Sequence, residues 1–265
     1  MWRRRMTTET ILITGATKGI GLEFAKIFAG HSYNLVLVAR DATLLEQQSE
    51  NFKKDYGIQV NTFAGDLGHY TTVEGLHRYL KTEEIDIDIL INNAGAGGFG
   101  FMTEVDIQKE MEYLQLNMIS LTYLTRLFAD DMVKRKQGKI LNVASLAAFQ
   151  PVPRMSMYGA SKSYVLSFSE AIAEELKGTG VQVSVLCPSF TKTTLTQQFA
   201  GAGTKVFNKN MLDPQMVAKY GFEGLMKNKR VIIPGFKNKL MAKSVGLLPR
   251  KWVTIYTRKL LEQKV

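Results

Sequence analysis

The chain has a single cysteine, Cys187, in 265 residues. No intrachain disulfide can form, and a reducing, cytoplasmic setting is the expectation. Histidine is nearly as scarce: His31, His69 and His77 lie far apart and offer no ligand cluster for a metal. No apolar run approaches the roughly 18–20 residues that span a bilayer. The opening Met1-Trp2-Arg3-Arg4-Arg5-Met6 is basic, but no apolar stretch follows it, so it does not read as a secretory signal. Charge is also missing where a nucleic-acid-binding body would need it. Residues 11–229 carry 22 Lys/Arg against 22 Asp/Glu, although the whole chain has a net charge of +10. Residues 230–265 hold nine basic residues against Glu262 alone. A neutral body argues against nucleic acid and assigns any anionic partner to the C-terminal tail.

What is present is an alternation of short apolar runs and helical periods, without repeats or an interdomain linker. Thr10–Thr14, Asn34–Ala39, Ile58–Ala64, Ile87–Ile91, Lys139–Ala144, Val181–Cys187 and Arg230–Ile233 read as strands. Their intervening segments read as helices, including Ala42–Lys54, Thr71–Lys81, two segments over Thr103–Lys136, and Pro214–Met226. This spacing implies an α/β fold: one Rossmann-like, doubly wound parallel sheet of about seven strands with helices on both faces. The domain is expected over 10–235, after a basic N-terminal extension 1–9 and before a basic amphipathic tail 236–265. The stretch 191–213, with Gly201 and Gly203, reads as a mobile substrate lid.

Three places carry the chemistry. The first is Gly15-Ala16-Thr17-Lys18-Gly19-Ile20-Gly21, set between a strand and a helix. Glycines there let backbone N–H groups approach a pyrophosphate at the helix N-terminus. The second is the end of the next strand. In nicotinamide-binding sheets a carboxylate there binds the adenosine ribose, whereas an arginine accommodates a 2′-phosphate. Here the strand ends Val38-Ala39-Arg40, and Lys18 is a second nearby cation, so NADP(H) is favoured. Asp41 is the competing ribose ligand, but it reads better as the N-cap of the following helix. Asp66, after the third strand, suits either an adenine edge or a helix cap. Leu67 lies beside it, and Asn93-Ala94-Gly95 supplies small residues against which a flat ligand can lie.

The third is Tyr158-Gly-Ala-Ser-Lys162. A tyrosine and a lysine four apart share one helix face, and an ammonium beside a phenol lowers its pKa toward a working range. Ser145, at the carboxyl end of the fifth strand, can face the same crevice. Asn117, among apolar neighbours, needs a partner for its amide; it is either structural or holds a water.

Together these motifs resemble the short-chain dehydrogenase/reductase family, of the compact single-domain type, over roughly residues 10–235. The match runs Thr14–Gly21, Asp66, Asn92–Gly95, Asn117, Ser145 and Tyr158–Lys162, with the family's spacing from serine to tyrosine to lysine. The resemblance implies a tetrad of Asn117, Ser145, Tyr158 and Lys162 with bound NADP(H). It also implies that Pro188, Phe190 and Thr191 wall the nicotinamide, that Thr193 binds its carboxamide, and that Asn117 holds a water linking Lys162 to solvent. A homodimer or homotetramer is implied as well, paired through the helices around Leu114–Lys134 and Tyr158–Lys177. Ser189 departs from the family's usual glycine, which puts the local backbone geometry in question. A softer resemblance, in Val231–Gly235 and the tail, is to ketoacyl and hydroxysteroid-type reductases. The expected reaction is reduction of a small-molecule carbonyl substrate, with three rivals: the oxidative direction, a non-catalytic NADP(H)-binding scaffold, and a nucleotide-sugar epimerase. The tail either docks on the protein, contacts an anionic membrane peripherally, or receives an acidic carrier or acyl-CoA.

Overall fold

A computed structural model describes residues 8–200 and 211–263. Seven parallel strands form one sheet in the order β3-β2-β1-β4-β5-β6-β7. They are β1 (Thr10–Thr14), β2 (Asn34–Ala39), β3 (Val60–Ala64), β4 (Ile89–Asn92), β5 (Gly138–Val143), β6 (Val181–Leu186) and β7 (Val231–Ile232). The helices are α1 (Gly19–Gly30), α2 (Ala42–Tyr56), α3 (Tyr70–Thr82), α4 (Ile107–Leu114), α5 (Leu121–Arg135), α6 (Ser156–Glu175), α7 (Thr194–Ala200), α8 (Pro214–Met226), α9 (Phe236–Val245) and α10 (Arg250–Glu262).

The central strands are mainly apolar because both faces are covered, and the buried amides of Asn92 and Asn142 bond to each other. Side chains alternate across the pleat. Ile11 and Ile13 of β1 therefore join Phe24, Phe28 and Val217 of α1 and α8, while Leu12 joins Leu76, Phe128 and Met132 of α3 and α5. Phe24 and Phe28 are fully buried; truncating such a side chain to alanine costs about 3–5 kcal/mol.

Local chemistry sets the helix starts. The Asp41 carboxylate accepts from the Leu44 N–H at 3.0 Å, as expected for the N-cap of α2, and Gly57 closes that helix in the left-handed region. Asp213 caps α8 just ahead of Pro214.

The structure adds detail to two expectations from sequence. The two helical segments expected from Thr103 are α4 and α5, and Gln115–Ser120 between them is a π-helical turn, with Asn117 inside it. The lid segment contains α7 and a bridge from Thr191 to Leu212. Residues 201–210 of it, with Gly201 and Gly203, lie outside the described residues, as do Arg3–Arg5.

Chain order along the sheet reverses between β1 and β4, and the crevice outside their carboxyl ends is where such folds bind ligands.

Candidate active site

The glycine loop is shaped by close approach. Gly15 takes a left-handed φ of +65°, and a side chain there would stand 3.0 Å from the Ala94 Cα. At Gly21 a Cβ would lie 2.2 Å from the Gly15 carbonyl oxygen, so only glycine fits. Thr14 and Asn93 stitch the loop to the end of β4. The Thr14 hydroxyl accepts from the Asn93 and Ala94 N–H groups at 3.0 and 2.9 Å, and the Asn93 amide donates to the Thr14 carbonyl at 2.9 Å. Lys18 precedes α1 without a side-chain cap, and no acidic residue stands in the helix's first turn. The uncapped N-terminus and the cradle that any Cβ would fill fit a dinucleotide pyrophosphate.

At the adenosine end, Arg40 projects from β2 with its side chain 81 % exposed, 3.9 Å from Asp66. Asp66 does not cap α3, whose N-cap is His69. Its carboxylate accepts from the Gly68 N–H at 2.8 Å and closes a turn beside the crevice. Leu67 is buried, and like Thr17, Lys18, Ile20, Gly95 and Arg40 it lines the crevice.

At the other end, Ser145 and Tyr158 meet. The Ser145 hydroxyl accepts from the Ala147 N–H at 3.1 Å, and a side-chain hydrogen bond joins it to Tyr158. Lys162 is buried and donates to the Val143 carbonyl at 2.9 Å, with its nitrogen 5.8 Å from the centre of the Tyr158 ring. Burial lowers its pKa to about 8, with Cys187 acting in the opposite direction.

The expectation that Lys162 would pull the phenol down is not met here. Burial instead pushes Tyr158 above the ordinary phenol value, and the Ser145 hydrogen bond only partly offsets it. The ammonium is turned to a backbone carbonyl rather than to the phenol oxygen.

Asn117 is held by three hydrogen bonds. Its amide donates to the Ala96 carbonyl at 2.8 Å and the Ser161 hydroxyl at 3.1 Å, and its oxygen accepts from the Ala96 N–H at 3.0 Å. Both amide hydrogens are thereby used, which leaves a water only the second lone pair of the side-chain oxygen. Asn117 and Lys162 converge on Gly95, where a Cβ would stand 3.2 Å from the amide oxygen and 3.3 Å from the ammonium.

After β6, Pro188, Phe190, Thr191 and Thr193 all face the crevice. Thr193 reaches across to the glycine loop, 3.0 Å from where a Gly19 side chain would begin. Ser189 is not among the residues with positive φ, so its replacement of glycine introduces no backbone strain.

Of the three readings left open for the tail, docking on the protein is the one observed, and it supplies the far wall of the crevice. The tail folds back: Val253, Thr257 and Leu261 of α10 are buried, and Leu261 packs with Val152, Met155 and Phe199 around Tyr158. Trp252 and Tyr256 line the same crevice. The spacing of Val253, Thr257 and Leu261, one turn apart, was the available signal. The crevice encloses about 1910 Å³, well above the roughly 300–1,000 Å³ of a single small-molecule pocket. It has room for a dinucleotide and a second ligand.

This fold and crevice fit a dinucleotide-binding, doubly wound α/β protein. The sequence model of the family described as short chain dehydrogenase matches residues 9–202, and the chain belongs to that family. The ketoacyl reductase HetN of Nostoc sp. is 32 % identical over 71 % of this chain and 66 % of its own length. The very-long-chain 3-oxoacyl-CoA reductase of Rattus norvegicus is 31 % identical over 71 % of this chain and 61 % of its own. The chain thus spans a little under two thirds of the length of these curated relatives. A solved short-chain dehydrogenase from Sphingobium yanoikuyae, in complex with NADPH, is 30 % identical with a TM-score of 0.80, over 90 % of this chain and 94 % of that one.

Proposed function

We propose that the protein reduces the carbonyl of a lipid-like ketone, such as a 3-oxoacyl compound, with NADPH. One observation carries the cofactor choice: Asp41, the residue that could bind a ribose hydroxyl, uses a carboxylate oxygen to cap α2, while Arg40 beside it, 81 % exposed and held by a 3.9 Å contact with Asp66, can turn to meet a 2′-phosphate. The apolar far wall and the names of the relatives support the substrate class.

When bound, the reduced nicotinamide supplies the hydride. The residues do the rest. Tyr158 donates its proton to the carbonyl oxygen as negative charge grows there. A phenol raised by burial stays protonated at neutral pH, which suits an acid in the reductive direction. Ser145 donates a hydrogen bond to the same oxygen. Lys162, with a pKa of about 8, is still mainly an ammonium at neutral pH and stabilises the phenolate left behind. Asn117, fixed by Ala96 and Ser161 with its amide oxygen beside Gly95 as the ammonium is, holds the water that links Lys162 to solvent.

The working unit is a homodimer or homotetramer paired through α5 and α6. Sedimentation at micromolar concentration tests the assembly, and a clean monomer would refute it. For the reaction, NADPH and NADH oxidation is followed with short, bulky and long-chain ketones. Preferential NADPH consumption with long apolar ketones is expected. No consumption with any carbonyl, despite tight NADPH binding, would return the protein to the scaffold reading.

A further inference from the structure

The two C-terminal helices each have two unlike faces. The inner face of α10, Val253, Thr257 and Leu261, is buried against the body. Trp252 and Tyr256 stand at the rim of the crevice, yet remain 69 % and 68 % exposed. On α9, Met241 and Val245 look into the crevice, while Phe236 and Leu240 are 80 % and 59 % exposed on the other side. The connection between the helices exposes Leu247 to 85 %. Among the described residues this outer surface also carries seven cations from Lys237 to Lys259 and one carboxylate, Glu262, which is paired with Arg258 at 2.9 Å. Large apolar groups this exposed, set among cations that far outnumber the single carboxylate, fit a surface that is anionic at its headgroups and apolar beneath.

We propose that the outer faces of α9 and α10 dock on an anionic lipid bilayer, so that the crevice mouth beside Trp252 and Tyr256 opens onto the lipid. An acidic protein would match the cations but would leave Phe236, Leu240 and Leu247 without apolar partners. The position of the mouth rests on the lipid-like substrate proposed above; the docking itself does not.

The experiment uses the full chain carrying Tyr158→Phe, so that the binding readout is independent of catalysis. Co-sedimentation is measured with vesicles of phosphatidylglycerol and phosphatidylcholine and with phosphatidylcholine alone, at low and high salt. The expected result is binding to the anionic vesicles only, lost at high salt, with a blue shift of Trp252 fluorescence in a Trp2→Phe background. Reversing Lys239, Lys243 and Lys251 to Glu should weaken binding on the order of a hundredfold or more, at about fivefold for each cation lost. The same three changes in the active chain should leave reduction of a short water-soluble ketone unchanged, which shows that the variant folds. Failure to bind anionic vesicles at low salt would overturn the proposal. So would binding without any change at Trp252, or a self-associating chain whose Trp252 shift appears on concentration rather than on adding lipid. If vesicles bind but no ketone is reduced, the docking stands and the proposed reaction falls.

Discussion

The two ends of the crevice are built by different means. The cofactor end is made of backbone: glycines that tolerate no Cβ, an uncapped helix start, and a threonine and an asparagine that bond main-chain groups. Its parts lie close in sequence or at the ends of adjacent strands. The substrate end is made of side chains from segments far apart, Val152, Phe199 and Leu261 among them, that meet only in the folded chain. The first end is rigid and tolerates little change. The second is lined by apolar groups whose exchange leaves the backbone-built end untouched.

That contrast can be broken or sharpened by substitution. The largest effect is expected where the two ends meet: Tyr158→Phe should lower kcat by roughly 10²–10⁴-fold while NADPH affinity, read by fluorescence titration, barely moves. Turnover within tenfold of the unaltered protein would remove Tyr158 from the acid role. Ser145→Ala should follow with a loss of about 2.7–4 kcal/mol of transition-state stabilisation, seen in kcat/KM. At the cofactor end, Gly21→Ala forces a methyl to within 2.2 Å of a carbonyl oxygen and should lower stability by about 1–3 kcal/mol, with loss of dinucleotide binding. Arg40→Ala, by contrast, should leave stability alone and weaken NADPH by about 1.5–3 kcal/mol relative to NADH. Equal losses for both cofactors would return Asp41 to the ribose.

A scaffold site remote from both ends supplies the smallest effect and a control. Burial pushes the Asp131 carboxyl up, but hydrogen bonds from Lys81 and His77 outweigh it and hold the group below its ordinary 3.8. A carboxyl lowered on folding stabilises the protein above that ordinary value, and the contribution disappears as pH falls through the folded value. Asp131→Asn should therefore cost about 1 kcal/mol in denaturant unfolding at pH 7 and nothing near pH 2, with cofactor binding unaltered at neutral pH.

The same division explains what could be read from the chain beforehand. The strands and glycine loop were legible because a parallel sheet demands continuous apolar runs and a phosphate turn demands glycine at fixed offsets. Asp41 as a cap followed from its place one residue before a helical period. Three features were not legible. Where on the body the tail docks depends on packing between residues a hundred positions apart. The raised Tyr158 depends on burial, which spacing alone does not report. The π-helical turn at Gln115–Ser120 lies in a run dense in apolar residues, Leu114, Leu116, Met118, Ile119 and Leu121, in which spacing marks no change of phase.

That turn carries one inserted residue's worth of extra winding. Each residue of an ordinary helix advances the chain by about 100°, so the widened turn sets α4 out of phase with α5 by that angle. Asn117 points at Ala96 and Ser161 from inside this phase slip. Removing one residue from the segment would restore ordinary winding and swing the amide away from Ala96 and Ser161. The aim of this side chain is thus written in the length of the chain rather than in the identity of its neighbours.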